Sequence, residues 1–275
     1  MTHNSRTKGY LTVMTLAALV QVACTETTND EEDVGEAEQP VLVSNALVSN
    51  ALVSNALVSN ALVSNALVSN ALVSNALVSN ALVSNALKDP NARELLKYVT
   101  SCALPEDAHF DLEIEGVTYG FDGDLGLAPE WGEEGGSCDD ECKSWVSACV
   151  IARLDYTGDS FVISLRGKHE ALDTPLSEMI KYPVREATYY GDIFASEQKI
   201  FACLPMWKQS IPRVCGPSLD DCVVDVQGKC EALCGNMRPD GSYPNCREQG
   251  EPKKPWGYKK GEKHVGSITV FLPFP

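Results

Sequence analysis

No part of this 275-residue chain offers the about 20 consecutive apolar residues that a membrane-spanning helix needs. The N-terminal run from Leu11 to Ala23, uncharged and mostly apolar, stops at thirteen. The sequence also lacks a CxxC pair, a GxSxG turn and an HExxH helix. A paired-cysteine zinc site, a nucleophile elbow and a zincin helix are therefore all without their usual signatures. Basic residues are scarce, 22 Lys and Arg against 38 Asp and Glu, which leaves a formal charge of −16. That balance argues against nucleic acid and anionic membrane surfaces as partners.

The cysteines are what the chain does have, and its eleven divide into one and ten. Cys24 stands alone behind the apolar run, and Arg6 and Lys8 precede that run with no acid between them. Basic-then-apolar order is the pattern of an export signal, so residues 1–23 read as a signal peptide. The other ten are Cys102, Cys138, Cys142, Cys149, Cys203, Cys215, Cys222, Cys230, Cys234 and Cys246. An even set in an exported chain predicts five disulfides, with partners that spacing does not fix. Val20-Gln21-Val22-Ala23-Cys24 resembles a bacterial lipobox, with Gln21 where that family usually has Leu. The resemblance implies acylation of Cys24, a membrane held through an N-terminal lipid anchor, and an outer-membrane lipoprotein; a freely secreted protein is the alternative.

Three unlike segments follow. Residues 24–41 hold seven carboxylates and no base. Like charges extend such a chain, so it reads as an acidic disordered tether. Residues 42–87 are a repeat in which Leu-Val-Ser-Asn-Ala occurs nine times and Leu87 begins a tenth copy. It has no charge, proline or glycine, and 27 of the 45 residues in its full copies are apolar. A five-residue period suits neither regular structure: on a helix successive leucines step around every face, and on a flat strand they alternate sides. The repeat loosely resembles the pentapeptide-repeat family, which implies a four-sided β-solenoid. A helix and an irregular spacer stand beside that reading. An uncharged Leu-Val-rich repeat is also a candidate for self-association.

Residues 88–275 are long enough for one core and carry 20 Lys and Arg against 31 Asp and Glu, the bases and acids of the two N-terminal segments excluded. Asp89-Pro90 supplies an N-cap and a first-turn proline to a helix whose stripe is Leu95, Leu96, Val99 and Cys102. Phe110 to Phe121 alternates as a hairpin. Cys138 to Leu154 reads as a second helix, Ser160 to Leu165 and Ser267 to Phe271 as strands, and Ile193 to Cys203 as a short helix. Mixed short elements without βαβ rhythm predict an α+β fold, a single disulfide-rich domain of short helices and antiparallel strands. Between Cys203 and Cys246 apolar runs are few and turn residues many, so disulfides have to supply the constraint there.

Candidate sites are sparse, and no catalytic residue, cofactor or metal is assigned. Asp122-Gly123-Asp124-Leu125-Gly126 opens like a calcium loop but lacks the later bidentate Glu, and Asp155 to Asp159 reads as a turn. Cys138/Cys142 and Cys230/Cys234 have the i, i+4 interval that could aim two sulfurs at zinc, against which export favours oxidised sulfur. His109, His169 and His264 sit in no hydrolase motif, and Ser160 and Ser218 lack elbow spacing. The one distinctive strip is basic and aromatic: Trp256, Tyr258, Lys259 and Lys260 are a candidate ligand surface for an acidic glycan or envelope protein, with a solvated arm folding over the acidic body as the alternative.

Ser101-Cys102-Ala103-Leu104-Pro105, Leu125 to Trp131, Trp145 to Cys149 and Tyr190 to Phe194 resemble a group of exported, cysteine-rich proteins of myxobacterial type. The resemblance implies an envelope or secreted location and no particular activity. Three functions are carried forward. The first is a cell-envelope lipoprotein with a binding or structural role, its domain presented on the repeat. The second is a secreted hydrolase with an unrecognised site, and the third a surface protein assembled through its repeat.

Overall fold

The computed structural model describes residues 42–45, 47–48, 60–252 and 258–275. The expected signal peptide and acidic tether, Cys24 and Trp256 lie outside the described residues.

The fold is α+β. Its strands are β1 (Leu42–Asn45), β2 (Leu47–Val48), β3 (His109–Ile114), β4 (Val117–Asp122), β5 (Leu154–Asp155), β6 (Phe161–Arg166), β7 (Val184–Asp192), β8 (Lys199–Leu204), β9 (Asp225–Lys229), β10 (Cys246–Pro252), β11 (Tyr258–His264) and β12 (Ser267–Leu272). Six of them form the main sheet in the order β1-β6-β12-β7-β8-β9. Every pairing in it is antiparallel except β8 with β9. β3–β4 and β10–β11 are separate antiparallel hairpins.

The helix Asp140–Ala152 lies across β7 and β12. Asp139 caps it, accepting hydrogen bonds from the Glu141 and Cys142 amides at 3.0 and 2.9 Å. Trp145, Val146, Ala148, Cys149, Val150, Ile151 and Ala152 are all buried, because this helix is covered by the sheet on one side and by a second helix on the other. That second helix, Pro90–Ala103, starts as its sequence predicts, with the Asp89 carboxylate accepting from the Asn91 amide at 2.8 Å. A fully buried disulfide, Cys102–Cys149, joins the two.

The segment expected to be a short helix, Ile193 to Cys203, ends instead in strand β8. Ile200, Ala202 and Leu204 point into the main core, while Cys203 and Phe201 belong to a second, smaller cluster with Tyr190, Cys230, Tyr243 and Cys246. A strand buried on both faces is apolar at nearly every position, and such a run has no periodicity to separate it from a short helix.

The repeat departs furthest from its reading as a spacer. Copies of one sequence occur as strand in β1 and as helix in Ala61–Val68, Ser74–Ser79 and Ala81–Ala86. Asparagine is the punctuation. The Asn60 side chain accepts from Leu62 N at 3.0 Å, and Asn80 accepts from Leu82 N and Val83 N at 3.1 and 3.3 Å, so asparagine caps two of the three helices, while Ser74–Ser79 starts at Val73 with no side-chain cap. A continuous helix would rotate each leucine about 140° from the one before. The breaks interrupt that rotation, and Leu67, Leu72, Leu77 and Leu87 are buried in the domain core, while Leu62 is 68 % and Leu82 48 % exposed. The body of the domain clasps the repeat in return. Trp131 Nε1 donates to Asn70 O at 2.8 Å, Cys138 N to Val68 O at 2.7 Å, and Ser64 Oγ to Phe194 O at 2.9 Å. From Asn60 onward the repeat is therefore part of the globular domain, and its boundary does not fall at Lys88.

Leu77 and Leu62 have identical sequence neighbours and opposite environments. Leu77→Ala should destabilise the domain by about 2–5 kcal/mol, the usual cost of emptying a buried leucine site. Leu62→Ala should change stability by about 0.5 kcal/mol or less. Equal, negligible effects in urea unfolding would mean that the repeat is not packed as described.

Candidate functional site

The predicted basic strip falls on the β10–β11 hairpin. Tyr258, Lys259 and Lys260 lie in β11, and Trp256 falls outside the described residues. The register pairs Cys246 with His264, Arg247 with Lys263, Gln249 with Lys260 and Pro252 with Tyr258. Irregularities follow Arg247 and Gln249, and each puts a local twist into the arm.

The base of this hairpin holds a bonded polar cluster. Lys199, at the start of β8, reaches Glu248 of β10 at 2.9 Å and also pairs with Glu262 of β11. Glu248 in turn meets His264 Nε2 at 3.0 Å. The His264 ring is buried beside Tyr190 and Phe201, with centroids 5.7 and 6.0 Å away. Tyr190 OH donates to Arg247 O at 3.1 Å, and Gln249 N donates to Gln227 Oε1 at 2.7 Å. Cys234–Cys246 pins the first residue of β10 to the chain behind it.

The electrostatics follow from these contacts. Lys199 is held above its ordinary pKa, chiefly by its hydrogen bond to Glu262. Burial pushes the Glu248 carboxyl upward, but the Lys199 and His264 bonds outweigh it and leave the group below its ordinary value. Burial raises the Tyr190 phenol, with Asp225 and Glu248 adding to the rise. The network forms the wall between three depressions. One, of about 500 Å³, includes Gln227, Lys229, Leu233, Cys234, Arg247 and Gln249 in its lining. A second, of about 590 Å³, has Lys199, Phe201, Asp225 and Glu248. A third, of about 620 Å³, has Asp140, Ser144, Lys199, Glu262 and His264.

The other sequence candidates lie apart from this cluster. His109 is an exposed residue of β3, bonded to Asp122 at 2.7 Å and Asp111 at 3.2 Å, and the Asp122 bond leads in raising its pKa. His169 accepts from Ala171 N at 3.2 Å and packs on Trp145, and burial lowers its pKa. The calcium-like opening is spent internally. Asp124 accepts from Arg153 at 2.9 Å, and Gly123 N donates to Ala108 O. Asp155 accepts from the Thr157 and Gly158 amides, which makes its loop an Asx-type turn. Ser218 Oγ accepts from Asp220 N, and Ser160 lies in the loop before β6. No hydroxyl or thiol of the described residues hydrogen-bonds the His264 ring, so its pairing with Glu248 is not extended to a nucleophile. A buried carboxylate elsewhere, Glu186, is locked by Arg213 and Tyr189 inside the core.

All ten domain cysteines are bonded, as Cys102–Cys149, Cys138–Cys142, Cys203–Cys230, Cys215–Cys222 and Cys234–Cys246. Cys138 and Cys142 bond each other, while Cys230 and Cys234 go to different partners, so neither i, i+4 pair presents two thiolates to one metal. Five disulfides in one domain mark an oxidising compartment, extracellular or in the cell envelope, and fit a structural or binding role there. Among the described residues no helix is long and apolar enough to cross a membrane.

Sequence reasoning singled out the basic-aromatic strip, but neither the β10–β11 pairing nor what anchors it. Glu248, Glu262 and Lys199 carried no local signal in the sequence. Comparison of the chain with protein-family models, with curated proteins and with solved structures gave no match to any of them.

Because Glu248 titrates below its ordinary 4.5 in the folded protein, its anchoring is fully present above that pH and is lost as the pH falls through the lowered folded value. Glu248→Gln should cost about 1–2 kcal/mol at neutral pH. The difference from wild type should shrink on acidification, read as urea midpoints at about pH 7 and about pH 3. A gap that is unchanged at low pH would show that the ion network does not hold the hairpin.

Proposed function

We propose that this protein is an exported cell-envelope lipoprotein whose disulfide-stapled domain binds an acidic glycan through the β10–β11 hairpin. The observation that carries the reading is the arm itself. Lys259 and Lys260 belong to strand β11 of a hairpin in an otherwise acidic chain, and the base of that hairpin is fixed by a disulfide and by the Lys199 ion pairs. A fixed base lowers the ordering cost of binding, and basic residues supply charge complementarity and a salt-sensitive on-rate. Acylated Cys24 would be the anchor, and residues 24–41 the link from anchor to domain. Kinship with the exported cysteine-rich proteins of myxobacterial type belongs to the same proposal.

The double variant Lys259→Glu, Lys260→Glu should weaken adsorption to a sulfated or uronic-acid polysaccharide at least about tenfold, the equivalent of about 1.4 kcal/mol. It should leave the thermal midpoint of the domain little changed. Undiminished adsorption would remove the hairpin from the reading, and capture of an acidic envelope protein instead of the polysaccharide would change its ligand. Separately, Cys24→Ser should abolish labelling by a fatty-acid precursor in a bacterial host and release the protein from the membrane fraction. Equal labelling of the variant would end the lipoprotein proposal.

One observation favours a second reading, assembly through the repeat. β1 is a single Leu-Val-Ser-Asn copy that completes the edge of the main sheet, with Leu42 opposite Ser164 and Asn45 opposite Phe161. The same four residues recur in every copy of the repeat, so a copy from a second chain offers β6 the same backbone donors, acceptors and side-chain order. On this reading the wild type forms concentration-dependent oligomers in sedimentation. A variant with proline at Val43, Val48, Val53 and Val58 stays monomeric, because proline removes ladder donors. Identical sedimentation of the two would exclude strand exchange.

A further inference from the structure

Two of the five disulfides touch. Cys203 Sγ of one lies 3.4 Å from Cys234 Sγ of the other, and the sulfurs of Cys203, Cys234 and Cys246 all lie within 4.8 Å of one another. Their exposure is unequal. Cys203, Cys230 and Cys246 are fully buried, whereas Cys234 is partly exposed and forms part of the lining of the 500 Å³ depression between β9 and β10. Lys229 and Arg247 line the same depression. Their positive charge favours thiolate over thiol at a sulfur released there.

We infer that Cys203–Cys230 and Cys234–Cys246 form one thiol–disulfide exchange site, in which Cys234 is the sulfur open to an external dithiol and Cys203 is the sulfur it attacks next. A thiolate of the dithiol attacks Cys234 Sγ, the Cys234–Cys246 bond breaks, and Cys246 leaves as a thiolate that takes up a proton. The second thiol of the reagent then displaces Cys234, closing the reagent into its own disulfide. The two electrons lost by the dithiol now reside on the Cys234 and Cys246 sulfurs. The Cys234 thiolate, already in contact with Cys203 Sγ, attacks it; the Cys203–Cys230 bond breaks and Cys230 leaves as a thiolate. The last step is an internal exchange that consumes no further electrons. It is the route by which a disulfide with both sulfurs buried becomes reducible, since exchange requires access to a sulfur.

The exchange has a structural consequence at the hairpin. Cys246 is the first residue of β10, so opening its bond removes the covalent tie at the base of the arm and leaves the Lys199 ion pairs to hold it, and moving the surviving bond to Cys203–Cys234 keeps the one-turn helix Cys230–Leu233 tied to β8. The substrate class is a dithiol, small or protein-borne, that can place a sulfur in the depression beside Leu233 and Cys234.

Native full-length protein would be treated with less than one equivalent of dithiothreitol, quenched in acid, labelled with N-ethylmaleimide at mildly acidic pH and digested without reduction. The expected product is a cross-linked Cys203–Cys234 peptide, with maleimide on Cys230 and Cys246. Absence of the Cys203–Cys234 cross-link from the first-reduced fraction overturns the inference, whether the label then sits on Cys234 and Cys246 or on any other pair.

Discussion

The clamp between the helices Pro90–Ala103 and Asp140–Ala152 is the constraint on which the rest of the domain depends. Asp140–Ala152 lies against β7 and β12 at the centre of the main sheet, and Cys102–Cys149 fixes Pro90–Ala103 to its outer side. With both sulfurs fully buried, that bond is embedded in apolar packing and acts together with it. Around this centre the sheet edges, the hairpins and the repeat helices are additions, each buried against a surface that the clamp has already built. Ser144 and Ser147 show how closely the central helix is woven into its surroundings: their hydroxyls accept from the Gly266 and Ile193 amides at 2.9 and 3.0 Å, beside strands β12 and β7.

Away from the centre the chain changes its means of support. From Cys203 to Cys246 the main core still takes in Leu204, Ile211, Val214 and Val224, but Cys203, Cys230, Tyr243 and Cys246 pack with Tyr190 in a second, small cluster of tyrosines and cysteines. Disulfides and charged hydrogen bonds supply the order that hydrophobic burial supplies elsewhere. This is why the candidate site lies here. A periphery held by cross-links and ion pairs keeps charged groups in place without an aliphatic core beneath them. It is also why two disulfides come into contact: four cysteines close in sequence and space leave little room between the bonds.

The repeat shows how far local sequence can leave structure open. Leu-Val-Ser-Asn-Ala has enough helix propensity for short helices and enough β-branched and apolar character for a strand, and it adopts both. Position along the chain decides which. The copy at the edge of β6 meets unpaired backbone groups and extends. The copies beside Trp131 and Phe194 meet an apolar surface and coil, with asparagine ending one turn and capping the next. Self-similarity made the segment conspicuous in the sequence and at the same time hid its role, because identical copies give no sign of which leucines will be buried.

Sequence alone determined the elements whose signals are local. Asp89-Pro90 set the start of one helix, Asp139 stood at the start of another, alternation over 109–122 made a hairpin, and an even number of cysteines in an exported chain made disulfides. The α+β class followed from the order of those elements. Only the tertiary structure decided which cysteines pair, that the later repeats belong to the core, that β8 is a strand, and that Lys199, Glu248, Glu262 and His264 meet at the foot of the basic arm. Those features arise from contacts between residues far apart in the chain, where burial and a specific partner outweigh propensities worth tenths of a kcal/mol per residue. No reading of neighbouring residues contains that information.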